Sequence, residues 1–205
     1  MTKVISRLYN SYDSASQAVR DLEAAGVPHS DISLVANNTD NWYSGNGGAK
    51  RVDRDADGVD DRAEGAGKGA GIGAAVGGTA GLLAGLGLLA IPGVGPVVAA
   101  GWLVATAAGA AAGGMTGGII GALTQAGVSD EDAHLYAEGV RRGGTLVTAR
   151  VDDGAASKLE AVLDRSSLRT SDVRSSYSKT GWKSFDPASK PLSADEVRQN
   201  RSMYQ

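Results

Sequence analysis

From Gly69 to Ser129 the chain carries no charged side chain, a run of 61 positions. A soluble domain of average composition places roughly a quarter of its residues as charges, so this stretch must be buried, in protein or in lipid. Glycines recur through it at every fourth residue: Gly65, Gly69, Gly73, Gly77, Gly81 and Gly85. After Ile91-Pro92-Gly93-Val94-Gly95-Pro96 a second ladder follows, Gly101, Ala105, Gly109, Gly113, Gly117 and Gly121. On a helix, four-residue spacing keeps each ladder near one face. A face without side chains lets a second backbone come close, as in small-xxx-small membrane helix pairs.

Residues 66–90 and 97–126, as helices, would measure about 37 and 45 Å at ~1.5 Å per residue. Roughly 20 residues cross a bilayer core. The Pro/Gly linker between them permits only an antiparallel return, and Trp102 stands near it as an interfacial anchor would. Lys50, Arg51, Arg54, Arg62 and Lys68 precede the pair, Arg141 and Arg142 follow it, and the turn has no basic residue. By the positive-inside rule both ends are cytoplasmic. The ladders therefore predict a transmembrane glycine-zipper hairpin over 65–127. Its partners are the lipid bilayer and other copies of the chain, met through Gly69, Gly73, Gly77, Gly81, Gly85, Gly101, Gly109, Gly113, Gly117 and Gly121. Glycine, however, costs a helix ~1 kcal/mol against alanine and adds little hydrophobicity. The alternative is a soluble oligomer whose zipper helices bury each other.

The flanks are of a different kind. Residues 3–9 read as a strand, Asp13 or Ser14 starts a helix with Ala15, Ala18, Val19 and Leu22 on one face, and Gly26 ends it. Residues 32–36 read as a second strand. Beyond the uncharged run, Ser129-Asp130-Glu131-Asp132 starts a helix that Gly143-Gly144 stops. Thr145–Val151 reads as a strand, a helix follows Gly154, and Asp172–Tyr177 reads as a last short strand. Neither flank alone has the apolar residues for a core. Together they predict an α+β fold: a ferredoxin-like α/β sandwich split by the inserted hairpin. The expected divisions are 1–37 (first half), 38–64 (polar loop and acidic run), 65–127 (hairpin), 128–177 (second half) and 178–205 (a polar, mostly disordered tail). The basic-then-apolar run of a secretory signal is missing from the start, so a cytoplasmic domain at the cytoplasmic membrane is expected, or a soluble cytoplasmic one on the alternative reading.

The acidic run Asp53–Glu64 matches a twelve-residue EF-hand calcium loop. Asp53, Asp55 and Asp57 take positions one, three and five, with Gly58 at the sharp turn. Val59 offers its carbonyl at seven, and Asp61 and Glu64 fall at nine and twelve. Asp60 departs from the pattern at position eight, where an apolar residue is usual, and no second loop follows. The readings are a calcium ion held by Asp53, Asp55, Asp57, Val59, Asp61 and Glu64, making the chain a calcium-dependent binding module, or a solvated acidic linker.

Other chemistries lack support. A net charge of -3 gives no basic face for nucleic acid. The absence of cysteine removes disulfides, thiolate zinc and cysteine nucleophiles. Gly67-Lys68-Gly69 lacks the remaining glycine and hydroxyl of a phosphate-binding loop. His134 with Asp130 and Glu138 shares a helix face and reads as a solvated side. No nucleophile–base pair stands out and no small-molecule substrate is indicated, so no enzyme is expected.

Residues Gly127–Val151, above all the turn Glu138-Gly-Val-Arg-Arg-Gly-Gly144, resemble the bacterial general stress protein 17M-like (heat-induced stress protein) domain. The helix Ala15–Gly26 and the strand Ile32–Val35 are similar to it too, so the likeness spans roughly residues 3–177. It implies a stress-induced, non-enzymatic protein whose relatives often carry a glycine-rich hydrophobic insertion, and it supplies no catalytic residues.

Overall fold

The computed structural model describes residues 2–43, 86–104, 106 and 118–202. β-Branched and aliphatic residues build five strands: β1 (Thr2–Tyr9), β2 (Ile32–Asn37), β3 (Gly87–Ile91), β4 (Gly95–Gly101) and β5 (Thr145–Asp152). They form one sheet in the order β1-β5-β2-β4-β3, with every neighbouring pair antiparallel. The two flanks of the uncharged run thus meet inside the sheet. β5 lies between β1 and β2, with Ser6 opposite Thr148 and Val35 opposite Leu146.

The helices are α1 (Tyr12–Ala24), α2 (Gly118–Gln125), α3 (Asp130–Arg141), α4 (Asp153–Leu163), α5 (Thr170–Lys179) and α6 (Ala194–Ser202). Ser11 caps α1, its Oγ accepting from the Ser14 N–H at 3.2 Å. Ser129 caps α3 in the same way through the Asp132 N–H. One core packs α1 and α4 on the sheet face that carries Leu34, Ala36, Val147 and Ala149. The opposite core joins Leu8, Val35, Val97 and Leu146 to side chains of α2, α3 and α5 and to Phe185. The fold is α+β, a sheet with helices on both faces.

Three expectations are corrected. Residues 87–90 and 97–101, expected in the helices of the hairpin, lie in strands β3 and β4. Ile91, Pro92, Gly93 and Val94 make a tight turn, with the Val94 N–H on the Ile91 carbonyl at 3.0 Å. Gly93 and Gly95 supply the left-handed φ of 73° and 101° that it needs. Val97 and Val98, stiff at the β-carbon, suit a strand better than a glycine-rich helix. β4 is paired on both edges and buried on both faces, so its sequence has no polar alternation to betray it.

Asp172–Tyr177, expected as a strand, lies within α5. Its Val173 and Tyr177, four residues apart, are the buried positions. The tail 178–205, expected as mostly disordered, holds α6 and buries Phe185 and Val197.

Two features of the expected hairpin have other roles. Gly101 has φ 93°, and a β-carbon there would lie 2.2 Å from the Ile32 carbonyl oxygen. That glycine lets β4 approach β2 closely. Trp102 is tied into the domain rather than to an interface. Its indole N–H donates to the Asp31 carbonyl at 3.2 Å, and Arg150 stacks 3.9 Å above its ring. Gly121 lies on α2, where an added β-carbon would meet nothing within 4 Å. Gly69, Gly73, Gly77, Gly81, Gly85, Gly109, Gly113 and Gly117 lie outside the described residues. Among those that are described, no helix is long and apolar enough to cross a membrane.

Candidate functional site

Gly139 lets helix α3 pack directly over Leu8 of β1. A β-carbon there would sit 2.4 Å from Leu8 Cδ2. The close approach carries Glu138 inward, to a side-chain exposure of 2 %. Its Oε1 accepts from Arg142 Nε at 2.6 Å and from Arg141 at 3.3 Å. A buried carboxylate needs such pairing to remain charged. The Arg142 guanidinium also lies 4.3 Å above the Tyr177 ring, which in turn meets Trp182 edge-on.

The helix ends at glycines. Gly144 donates to the Gly139 carbonyl at 2.9 Å and Gly143 to that of Val140 at 3.0 Å, with Gly143 at φ 102°. The Gly143 carbonyl then points outward and accepts from Arg201 Nε at 2.8 Å. Arg201 makes two more bonds. One runs to Asp40 Oδ2 at 2.6 Å and the other to the Asn37 carbonyl at 3.2 Å. Asn37 is held firmly. Its amide donates to the Arg141 carbonyl at 3.2 Å, its side-chain oxygen accepts from the Thr39 N–H, and its carbonyl also takes the Trp42 indole N–H. The end of β2, the end of α3 and helix α6 therefore converge on one guanidinium.

A second concavity of about 650 Å³ lies at the other end of α3, with Arg7, Asp132, Tyr136, Asp164 and Thr170 in its wall. Its charges are paired, though only one pair lies wholly within the wall: Arg7 with Asp164 at 2.5 Å, against Asp132 with Arg174 at 2.7 Å and Arg169 with Asp172 at 3.7 Å. Burial works against the Arg7 charge, but the hydrogen bond and charge of Asp164 outweigh it, so its pKa is raised. Burial pushes the Tyr136 phenol up as well, helped by Asp132, while its hydroxyl donates to the Ser6 carbonyl at 3.0 Å.

The face His134, Asp130 and Glu138, read as a solvated side, is divided by the fold. His134 lies 3.7 Å from Asp130, while Glu138 turns into the core toward the arginines. Among the described residues no three His, Cys, Asp or Glu side chains are placed to hold a metal. The acidic run with Asp53, Asp55, Asp57, Val59, Asp61 and Glu64 lies outside them. The site residues that sequence reading missed are Asn37, Asp40 and Arg201. One signal was available: Ser193-Ala-Asp-Glu196 is a capping box that announces α6. No family model, no curated protein and no solved structure matches this chain.

Proposed function

We propose that this is a non-enzymatic, stress-associated protein that self-associates through its glycine-laddered segments, with the α+β domain as the body that carries them. The observation that carries the association is the four-residue ladder itself, six glycines from Gly65 to Gly85 without a break. Gly121 is compatible with it, since a β-carbon added there would meet nothing within 4 Å beyond its own helix. The stress assignment rests on the resemblance around Glu138–Gly144. The finer description of the domain is a split ferredoxin-like sheet. It is supported by β1-α1-β2 with β5 inserted antiparallel between the two strands.

Lipid contact is constrained by the sheet. Tyr43 and Leu86, and likewise Thr106 and Gly118, belong to one domain. Roughly 20 residues are needed for a single crossing, more than 107–117 contains. A double crossing by 44–85 would have to take Asp53–Glu64 into the bilayer. We therefore read lipid contact as re-entrant, from the cytoplasmic face, on which both termini lie. The second reading, a soluble oligomer, is favoured by a specific finding. Val97, Val98 and Leu103, apolar residues within the second expected helix, are buried in the domain core at 0, 0 and 1 % exposure.

The test is assembly size in detergent and in detergent-free buffer for the wild type, Gly77→Leu and the off-ladder control Ala75→Leu. Gly77→Leu is expected to reduce assembly and Ala75→Leu to leave it unchanged. Equal assembly of all three overturns the ladder as the contact. Retention in membranes through a carbonate wash selects the lipid reading, and release selects the soluble one.

A further inference from the structure

We propose that Asp40 Oδ2, with the main-chain oxygens of Asn37 and Gly143, is a guanidinium-recognition site. The chain fills it with its own Arg201, which latches residues 182–202 as a releasable strap. All three guanidinium nitrogens donate, each to a different oxygen, at 2.6, 2.8 and 3.2 Å. A planar fork fits such a seat, whereas a lysine ammonium cannot reach its three separated acceptors at once. The seat also holds more acceptor capacity than Arg201 uses: Asp40 Oδ1 is buried and has no hydrogen-bond partner among the described residues.

The strap lies in a track cut by glycines. A β-carbon on Gly93 would stand 2.8 Å from Pro187, one on Gly95 2.9 Å from Pro191, and one on Gly143 2.8 Å from Val197. Helix α6 itself is lightly held, since Val197 is its only buried residue. Yet it is internally complete. Ser193 N–H donates to Glu196 Oε2 at 2.8 Å, and Glu196 N–H returns to Ser193 Oγ at 3.3 Å. Such an element detaches as a unit.

Arg201 also walls a cavity of about 160 Å³ with Tyr12, Asn37, Trp42 and Thr145. The Tyr12 and Trp42 rings lie 4.8 Å apart beside it. Release of the strap would open this cavity and leave a carboxylate, two carbonyls and an aromatic pair facing solvent. That chemistry recognises an arginine side chain, and the strap of a second copy carries the matching arginine on its helix α6.

Hydrogen exchange on the full chain tests this. Arg201→Ala is expected to speed exchange of residues 194–202 and 38–43 about tenfold or more, with β5 unchanged as the control for folding. Millimolar ethylguanidinium should restore protection at 38–43 in that variant, and ethylammonium should not. Asp40→Asn, with Arg201 intact, should loosen 194–202 and gain nothing from ethylguanidinium. A labelled peptide spanning residues 191–205 should bind the Arg201→Ala chain, and the same peptide with alanine in place of Arg201 should not. Binding of the wild-type peptide assigns the trans ligand to a second copy. Ethylguanidinium rescue without peptide binding confines the site to its own strap. Equal rescue by both amines, rescue by neither, or full protection in Arg201→Lys overturns the recognition site.

Discussion

Glu138 and Arg142, one helical turn apart at the end of α3, form a 2.6 Å ion pair whose carboxylate is almost wholly withdrawn from water. Removing one partner of a buried pair leaves the other charge uncompensated and costs about 3–5 kcal/mol. Arg141 and Arg142 keep 19 and 15 % side-chain exposure and can recover some hydration, which puts the loss near the lower limit. Glu138→Ala is expected to destabilise the chain by about 3 kcal/mol, or roughly 6–12 °C in Tm at this chain length. Glu138→Gln keeps the shape and one acceptor and should cost less. Urea unfolding of both variants checks the order, and a neutral Glu138→Ala would show that the pair contributes nothing to stability.

Two glycines should respond oppositely to alanine. At Gly144 a β-carbon would stand 2.9 Å from the Gly139 carbonyl oxygen and 3.1 Å from Leu8 Cδ1. The first neighbour is backbone, so Gly144→Ala should cost about 1–3 kcal/mol, the scale of overpacking. Gly154 lies in the first turn of α4 with nothing within 4 Å. Gly154→Ala should therefore stabilise by about 0.4–1 kcal/mol, through a less flexible unfolded chain and better helix propensity. Denaturant midpoints of the two variants should move in opposite directions.

What could be read from the sequence follows a physical division. Ser129 with its acidic first turn and the Gly143-Gly144 stop delimit α3 by local capping alone, and α1 shows its buried face as Ala15, Ala18, Val19 and Leu22. Such elements are specified by neighbours in sequence. β4 is specified largely by β2, far away in the chain, and its apolar run carries no period to separate strand from helix. The ladder that begins at Gly101 then suggested the wrong one. The guanidinium site is less legible still. Asn37, Asp40, Gly143 and Arg201 are ordinary residues until the sheet, the α3 terminus and the strap bring them together. Only Ser193 and Glu196, three residues apart, announce that the tail contains a helix at all.

The capping box gives the strap a pH dependence. The Ser193 backbone N–H and then its hydroxyl hold the Glu196 carboxyl below its ordinary value. A depressed folded pKa means that the contribution is present above the unfolded value, about 4.3, and is lost as pH falls through the folded one. Protection of residues 194–202, relative to the intrinsic exchange rate, should fall below about pH 4 while β5 remains protected. Glu196→Gln should flatten that acid limb, and an unchanged profile in this variant would assign the acid response to another carboxylate.

The opposite sign holds for two phenols. Burial raises the pKa of Tyr9, whose hydroxyl donates to the Leu163 carbonyl at 3.0 Å. It raises that of Tyr136 too, where the acceptor is the Ser6 carbonyl. A raised folded pKa gives stability that is intact below the unfolded value, about 10, and that declines as pH climbs toward the folded one. Unfolding the chain frees both phenols to ionise, so alkali should pull it toward the unfolded state. Ultraviolet titration should show Tyr9 and Tyr136 ionising only together with the loss of near-ultraviolet circular dichroism, and one such phenol fewer in Tyr9→Phe. If both phenols of the wild type titrate smoothly near pH 10 with the dichroism intact, their hydroxyls are not sequestered as the fold requires.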